Sequence, residues 1–186
     1  SKEWWRYGQL HREDGPAHEY ANGSKEWWRY GQLHREDGSA IERPDDSNSW
    51  WLNGQRHRED GPAIEWTDGD KEWYRNGKWH REDGPAIELA DGRKAWYMNG
   101  QRHREDGPAI EYPTGRKKWY LNDEWQRTEW RNANGQFHRE DGPAFFHAGG
   151  LKIWYQNDQR QRFPIAPPRS VGRRTGHGVG GLIFHD

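Results

Sequence analysis

The chain has no cysteine, a single methionine and no long apolar run. Without cysteine there can be no disulfide or thiolate metal site, although the compartment stays undetermined. Without an apolar stretch of about 18 residues there is no transmembrane helix or signal-peptide core, so the expectation is a soluble chain with no membrane contact. An excess of charge is also missing. With 29 basic side chains against 30 acidic ones, no global field draws nucleic acid or an anionic membrane. Hydrophobic residues make up only 30% of the chain, a level that ordinarily signals disorder. The 14 Trp, 8 Tyr and 5 Phe argue the other way, because burying one large aromatic removes roughly 150–250 Å² from water, about 4–6 kcal/mol at ~25 cal/mol/Å². The composition predicts a folded chain with a Trp-based core.

What the sequence has in abundance is repetition. His-Arg-Glu-Asp-Gly begins at His11, His34, His57, His80, His103 and His138, and the first five copies are 23 residues apart. A fixed period of that length is the signature of a repeat architecture. Residues 1–14 are identical to 24–37, which points to duplication. In the type unit 92–114, Asn99-Gly100, Asp106-Gly107-Pro108 and the preceding Asp91-Gly92 read as turns, because both residues of each pair tolerate positive φ. The runs between them are short and rich in Trp, Tyr and Ile, which suits strands.

Parity then limits the topology. An odd number of antiparallel strands would reverse every second repeat and place identical sequences in opposite environments, so two strands per 23-residue repeat are expected. A three-sided parallel β-helix would stack like charges at about 4.8 Å, whereas a hairpin array spaces them by ~10 Å. The reading is an all-β, elongated antiparallel β-hairpin repeat array, an open twisted sheet or solenoid. Strand A is assigned to 94–98, strand B to 109–112, and the stretch between Asn-Gly and Asp-Gly to a long, partly extended connection.

The pattern Trp-Tyr-x-Asn-Gly-x-x-His, followed by Gly-x-x-x-x-x-x-Asp-Gly, resembles MORN repeats and their bacterial variants. The resemblance covers residues 1 to about 160, with the short family connection replaced here by His-Arg-Glu-Asp-Gly-Pro-Ala. The Asp-Gly-Pro-Ala arrays are also similar to those of bacterial, bacteriophage and large-virus proteins. This resemblance implies a hairpin per unit and a scaffold or binding surface rather than a reaction.

The period breaks twice. Tandem repeats are assigned to 1–161, with an irregular junction or kink near 123–137, where one strand-sized segment is missing. Asn122-Asp123 and Asn157-Asp158 replace Asn-Gly, and Gln126 and Gln161 stand where His is due; the pairing suggests that turn and His are physically coupled or that the two units share ancestry. Residues 162–186 form a non-repeat Pro/Gly/Arg-rich tail, read as poorly ordered. Its abrupt change of character also fits translation in a shifted frame, which the nucleotide sequence would decide.

The His-Arg-Glu-Asp run carries residue types used for metals and acid–base catalysis. In an extended segment, however, His103 shares a face with Glu105, and Arg104 with Asp106, which suits a solvated ionic ladder. No spacing matches a defined zinc or EF-hand site, and no phosphate loop or nucleophile elbow is present. No metal, cofactor or catalytic residue is therefore expected.

The paired aromatics are more suggestive, since adjacent strand residues point to opposite faces. Either long Arg or Lys stems cover the second row, or an aromatic ladder stays open for a partner. The candidate binding residues are Trp5, Trp28, Trp51, Tyr74, Tyr97, Tyr120 and Tyr155. To these are added the position two residues after each turn, which varies within a constant frame: Leu10, Leu33, Arg56, Trp79, Arg102, Trp125 and Phe137. The expected function is a non-enzymatic scaffold or binding module, most of all for a protein partner. Carbohydrate binding through the aromatic ladder is the alternative, and a metal-dependent hydrolase using the His rows is third.

Overall fold

The computed structural model describes residues 1–161; the reading of the 162–186 tail lies outside them. The described chain is all β, a 15-stranded antiparallel sheet flanked by five separate two-stranded hairpins. No helix among the described residues is long and apolar enough to cross a membrane.

In the type unit, a leading strand Lys94–Ala95 lies in the long sheet. The chain then leaves that sheet at Trp96, whose N–H donates to the Ala109 carbonyl while its own carbonyl accepts the His103 N–H. Beyond Trp96, Tyr97–Met98 and Gln101–Arg102 form the hairpin, with Tyr97 opposite Arg102. Asn99 and Gly100 turn it at φ 53° and 86°, a tight two-residue turn that glycine enters without steric cost. A connector, 103–108, crosses back to the return strand Ile110–Glu111, which pairs with Lys94–Ala95.

Three expectations change here. The strand placed at 94–98 is broken at Trp96, because the chain changes sheets there. The connection expected after Asn-Gly begins with a true strand. Asp106-Gly107 is not a hairpin turn, since Gly107 is absent from the residues with positive φ. The parity argument keeps its force, because two strands of each unit join the long sheet and two more form the hairpin.

Neighbouring units are joined along both ladders. In the long sheet each return strand pairs with the next leading strand, as Glu19 does with Lys25 and Glu88 with Lys94. One face thus alternates in sign across strands, as in Lys71, Glu88, Lys94, Glu111 and Lys117. Opposite charges across antiparallel strands each stabilise by a few tenths of a kcal/mol, roughly 0.2–1. In the hairpin row, each turn glycine donates to the preceding variable residue, as Gly77 does to the Arg56 carbonyl at 2.9 Å.

The core lies in the corner between the two ladders and is built on a small residue. Ala17, Ala40, Ala63, Ala86, Ala109 and Ala144 are all 0% exposed, so a larger side chain there would have to be accommodated by its buried neighbours.

The junction takes a different form from the irregular kink expected near 123–137. Arg116–Leu121 and Glu124–Trp130 are the longest strands, paired throughout with a bulge at Trp119/Tyr120. Glu124–Trp130 also pairs with Phe145–His147, so it serves at once as a return strand and as a leading strand. One strand is thereby saved, and the next leading strand, Lys152–Gln156, lies three antiparallel steps from Arg116–Leu121 instead of two. The last unit is turned over about the array axis. Its Asn157 and Asp158 neighbour His138 and Phe137, while Arg131, which follows Trp130, donates to Gly115 in the opposite row of turns.

Candidate functional site

The connector explains its own invariance. Each connector Arg lies flat on the first Trp of its unit, with Cζ 4.0–4.1 Å from the ring centre in Arg12–Trp4, Arg35–Trp27, Arg58–Trp50, Arg81–Trp73 and Arg104–Trp96. The guanidinium is fixed by Asp two residues on, Nε to Oδ1 being 2.9 Å for Arg81–Asp83, and Nη1 donates to the Pro85 carbonyl. The connector glycine covers its other face: a Cβ at Gly61 would lie 2.8 Å from Arg58 Cζ. Glycine is needed here for close approach, not for φ. The Arg guanidinium beside Asp14, Asp37, Asp60, Asp83 and Asp141 holds each carboxyl below the usual range, by hydrogen bond first and charge second.

The histidines act between units. The Nδ1 atoms of His11, His34, His57, His80, His103 and His138 accept the backbone N–H of the residue 19 positions on, at 3.1–3.3 Å. In three of the units the same Nδ1 also lies 2.8–2.9 Å from the side-chain oxygen of the turn Asn, namely Asn53, Asn76 or Asn122, and Nε2 faces the Glu two residues on, 3.3 Å away in His34–Glu36. The expected sharing of faces, His with Glu and Arg with Asp, is what the side chains do. Among the described residues no group of three His, Asp or Glu side chains converges to hold a metal.

The second aromatic row and the variable position face each other across the hairpins: Trp5–Leu10, Trp28–Leu33, Trp51–Arg56, Tyr74–Trp79, Tyr97–Arg102 and Tyr120–Trp125. They build one strip. Arg56 lies between the Trp51 and Tyr74 rings at 5.2 and 5.3 Å. Trp79 then bridges Tyr74 and Tyr97 at 5.7 and 5.1 Å, and Arg102 stacks on Tyr120 at 4.1 Å. Phe137 and Tyr155 stack on each other at 5.1 Å but belong to the overturned unit. Phe146 meets Trp125 whereas its neighbour Phe145 meets Phe137, so the pair lies on the opposite side of the sheet. The fourteen candidates therefore divide into a strip of twelve and a separate pair.

Access to the strip is graded. Trp5 is 59% exposed and Tyr74 and Tyr120 only 7%; the rest are half-buried. The middle of the strip forms a cleft of about 490 Å³ walled by Trp51, Gln55, Arg56, Tyr74, Lys78 and Trp79. Inside it, Arg56 Nε is buried without a hydrogen-bond partner. Glu72 accepts from both the Tyr74 hydroxyl at 2.7 Å and Trp79 Nε1 at 3.0 Å. Burial first, and then Glu72, pushes the Tyr74 phenol up to about 12.

Sequence reading missed Glu72, Lys78 and Phe146. Glu72 was within reach, because it precedes Tyr74 by two residues and alternate positions share a face. Phe146 was not, because its contact depends on the register of the junction.

No family model matches the chain, and no curated protein does either. The fold and this geometry define a class, a 23-residue β-hairpin repeat array.

Proposed function

We propose that the chain is a non-enzymatic, MORN-like repeat scaffold that binds a protein partner along the aromatic strip of its hairpin row. The observation that carries this reading is the cross-strand pairing of the constant aromatic with the variable position, Trp51–Arg56 beside Tyr74–Trp79. It makes a surface whose chemistry changes from unit to unit on an unchanged frame. Aromatic and Arg side chains are the types that anchor protein interfaces. The His rows support a non-catalytic role, since each ring already holds a backbone N–H of the next unit. The MORN likeness rests on the hairpin in every unit and on the shared Trp-Tyr-x-Asn-Gly-x-x-His pattern.

The test is photo-crosslinking from position 55, on the wall of the cleft, in the native organism's extract, repeated with the triple change Trp51→Ala, Arg56→Ala and Trp79→Ala. The partner should be lost from the triple variant and kept by Glu59→Gln on the connector. A partner retained by the triple variant, with its fold intact by circular dichroism, overturns the reading. A glycan ligand is the second reading, favoured at one place: the open face of Trp5, with Glu3 accepting its Nε1 proton at 3.0 Å. Glycan-array binding that Trp5→Ala abolishes would move the assignment there.

A further inference from the structure

One position of the repeat changes its charge along the array. Two residues before each strip aromatic stand Glu3, Glu26, Ser49, Glu72, Ala95 and then Lys118. Where a glutamate is present it serves the strip. Glu3 and Glu26 accept the indole N–H of Trp5 and Trp28 at 3.0 and 2.9 Å, and Glu72 accepts from Tyr74 and Trp79. At Lys118 that acceptor is gone, and Trp125 Nε1 donates to Thr128 Oγ1 at 3.0 Å instead. Lys118 lies between Ile110 and Thr128 across the strands, neither of them charged. Arg116, two residues before it on the same face, rests its guanidinium against the Tyr112 and Trp130 rings, with Cζ 5.3 and 5.4 Å from their centres. Both cations are half-buried, and among the described residues neither is in an ion pair with an acid. The third cation nearby, Arg102, is already paired with Asp123 at 2.6 Å. Burial first, and then Arg116 and Arg102, hold the Lys118 ammonium below its usual range.

We infer that Arg116 and Lys118 form a carboxylate-binding corner that takes an extended acidic segment, Glu-x-Glu, of the protein partner. Alternate residues of a strand share a face roughly 7 Å apart. Acids at i and i+2 of a segment laid along residues 116–118 therefore match the two cations one to one. A guanidinium binds carboxylate through paired N–H bonds, and a negative charge offsets the repulsion that Lys118 meets from Arg116. The inference rests on the protein-partner reading of the strip for the source of the segment, whereas the corner itself follows from register and charge. It also gives the strip a direction. The acidic end of the partner belongs beside Tyr120, not beside Trp5 or Trp28, where Glu3 and Glu26 stand.

The test titrates the intact protein with the peptide acetyl-Glu-Tyr-Glu-amide at low ionic strength and follows the amide signals of residues 116–118 and 128 by NMR. They should move saturably, and acetyl-Gln-Tyr-Gln-amide should bind about tenfold more weakly, as for a lost charged hydrogen bond. Lys118→Glu and Arg116→Ser introduce the residue types that the same frame accepts at Glu72 and Ser47. Each should weaken the acidic peptide about tenfold with the fold unchanged. No saturable shift, equal binding of the two peptides, or uptake that survives both substitutions overturns the inference. Tighter binding of inorganic phosphate than of the acidic peptide would make this a phosphate site and overturn it too. Peptide uptake here, with no partner crosslinked from position 55, would keep the corner and remove the strip reading.

Discussion

Units before residue 116 and the stretch 116–161 use the same pieces with different parity. In a regular unit the chain bends at its first Trp into a second ladder, and a six-residue connector carries it back. At Arg116–Trp130 the partner strand returns directly, so there is no connector and no need to change sheets. The Arg-on-Trp stack persists all the same, Arg127 lying 4.2 Å from the Trp119 ring with Nε on Glu129 at 3.0 Å. The comparison separates what the fold requires from what merely delivers it: the stack is required, and His-Arg-Glu-Asp-Gly is one way of supplying it. It also accounts for Gln126. No hairpin follows in that row, because the next unit is turned over, so a histidine there would have no N–H to accept. Asp123 instead reaches back, accepting the Arg102 backbone N–H at 3.1 Å and its Nε at 2.6 Å. Asp158 does the same for the Phe137 N–H. The joint change of turn and His position marks a hairpin with no neighbour after it among the described residues.

The largest test of this contrast removes the ring itself. Trp73→Ala leaves Arg81, Gly84 and the corner alanine around a void, and should cost about 3 kcal/mol. Trp119→Ala should cost less, because the strands on either side remain continuously paired. Equal losses in urea unfolding would mean that the corner is no weaker than the straight hairpin. Next in size is Gly84→Ala, whose Cβ would sit 2.9 Å from Arg81 Cζ. Overpacking of this kind should cost about 1–3 kcal/mol. In that background Arg81→Ala should add less than it does alone, since the two act on one contact. Additive losses would show that the glycine is there for another reason.

The period could be read from the spacing of His11, His34, His57, His80 and His103, and the all-β class and even strand count from the turns of residues 92–114 taken with that period, because turn chemistry and parity are local or arithmetic constraints. The pairing of Tyr74 with Trp79 could not, although both rows had been singled out. It follows from a hairpin closing on Arg75–Lys78, in a stretch that looked like plain connection. The role of Gly107 was misread because Asp-Gly has two uses, positive φ and close approach, and only the position of Arg104 tells them apart. The overturned last unit was implicit in the parity rule and in the missing strand. What concealed it was that Glu124–Trp130 could serve two roles at once, which depends on pairing with Phe145–His147, chain that follows a 14-residue gap.

A smaller effect is expected between units. His57→Ala removes the acceptor for the Asn76 N–H and should cost about 1 kcal/mol, with faster exchange of that amide. The reverse change in the second region, Gln126→His, should bring no gain, because the residue 19 positions on is Phe145 in the long sheet. A stabilising Gln126→His would contradict the explanation of the Asn-Asp units.

The smallest effect is electrostatic and is visible only as a pH trend. Asp83 is fully exposed, and its carboxyl is held below the ordinary range by Arg81. A group with a lower pKa folded than unfolded binds more protons in the unfolded state, so its contribution is complete above the unfolded value, near ~4, and is lost as pH falls through the folded value. Asp83→Asn should therefore be less stable than the parent near pH 6, and the gap should close in acid. Asp123→Asn should follow the same trend, because Arg102 lowers that carboxyl by hydrogen bonding. If the Asp83 gap is flat with pH while the Asp123 gap closes, the connector guanidinium is held by Trp73, the Pro85 carbonyl and Glu88 without help from Asp83. The aspartate would then be a turn residue, and the stack in the two regions would differ by less than their sequences suggest.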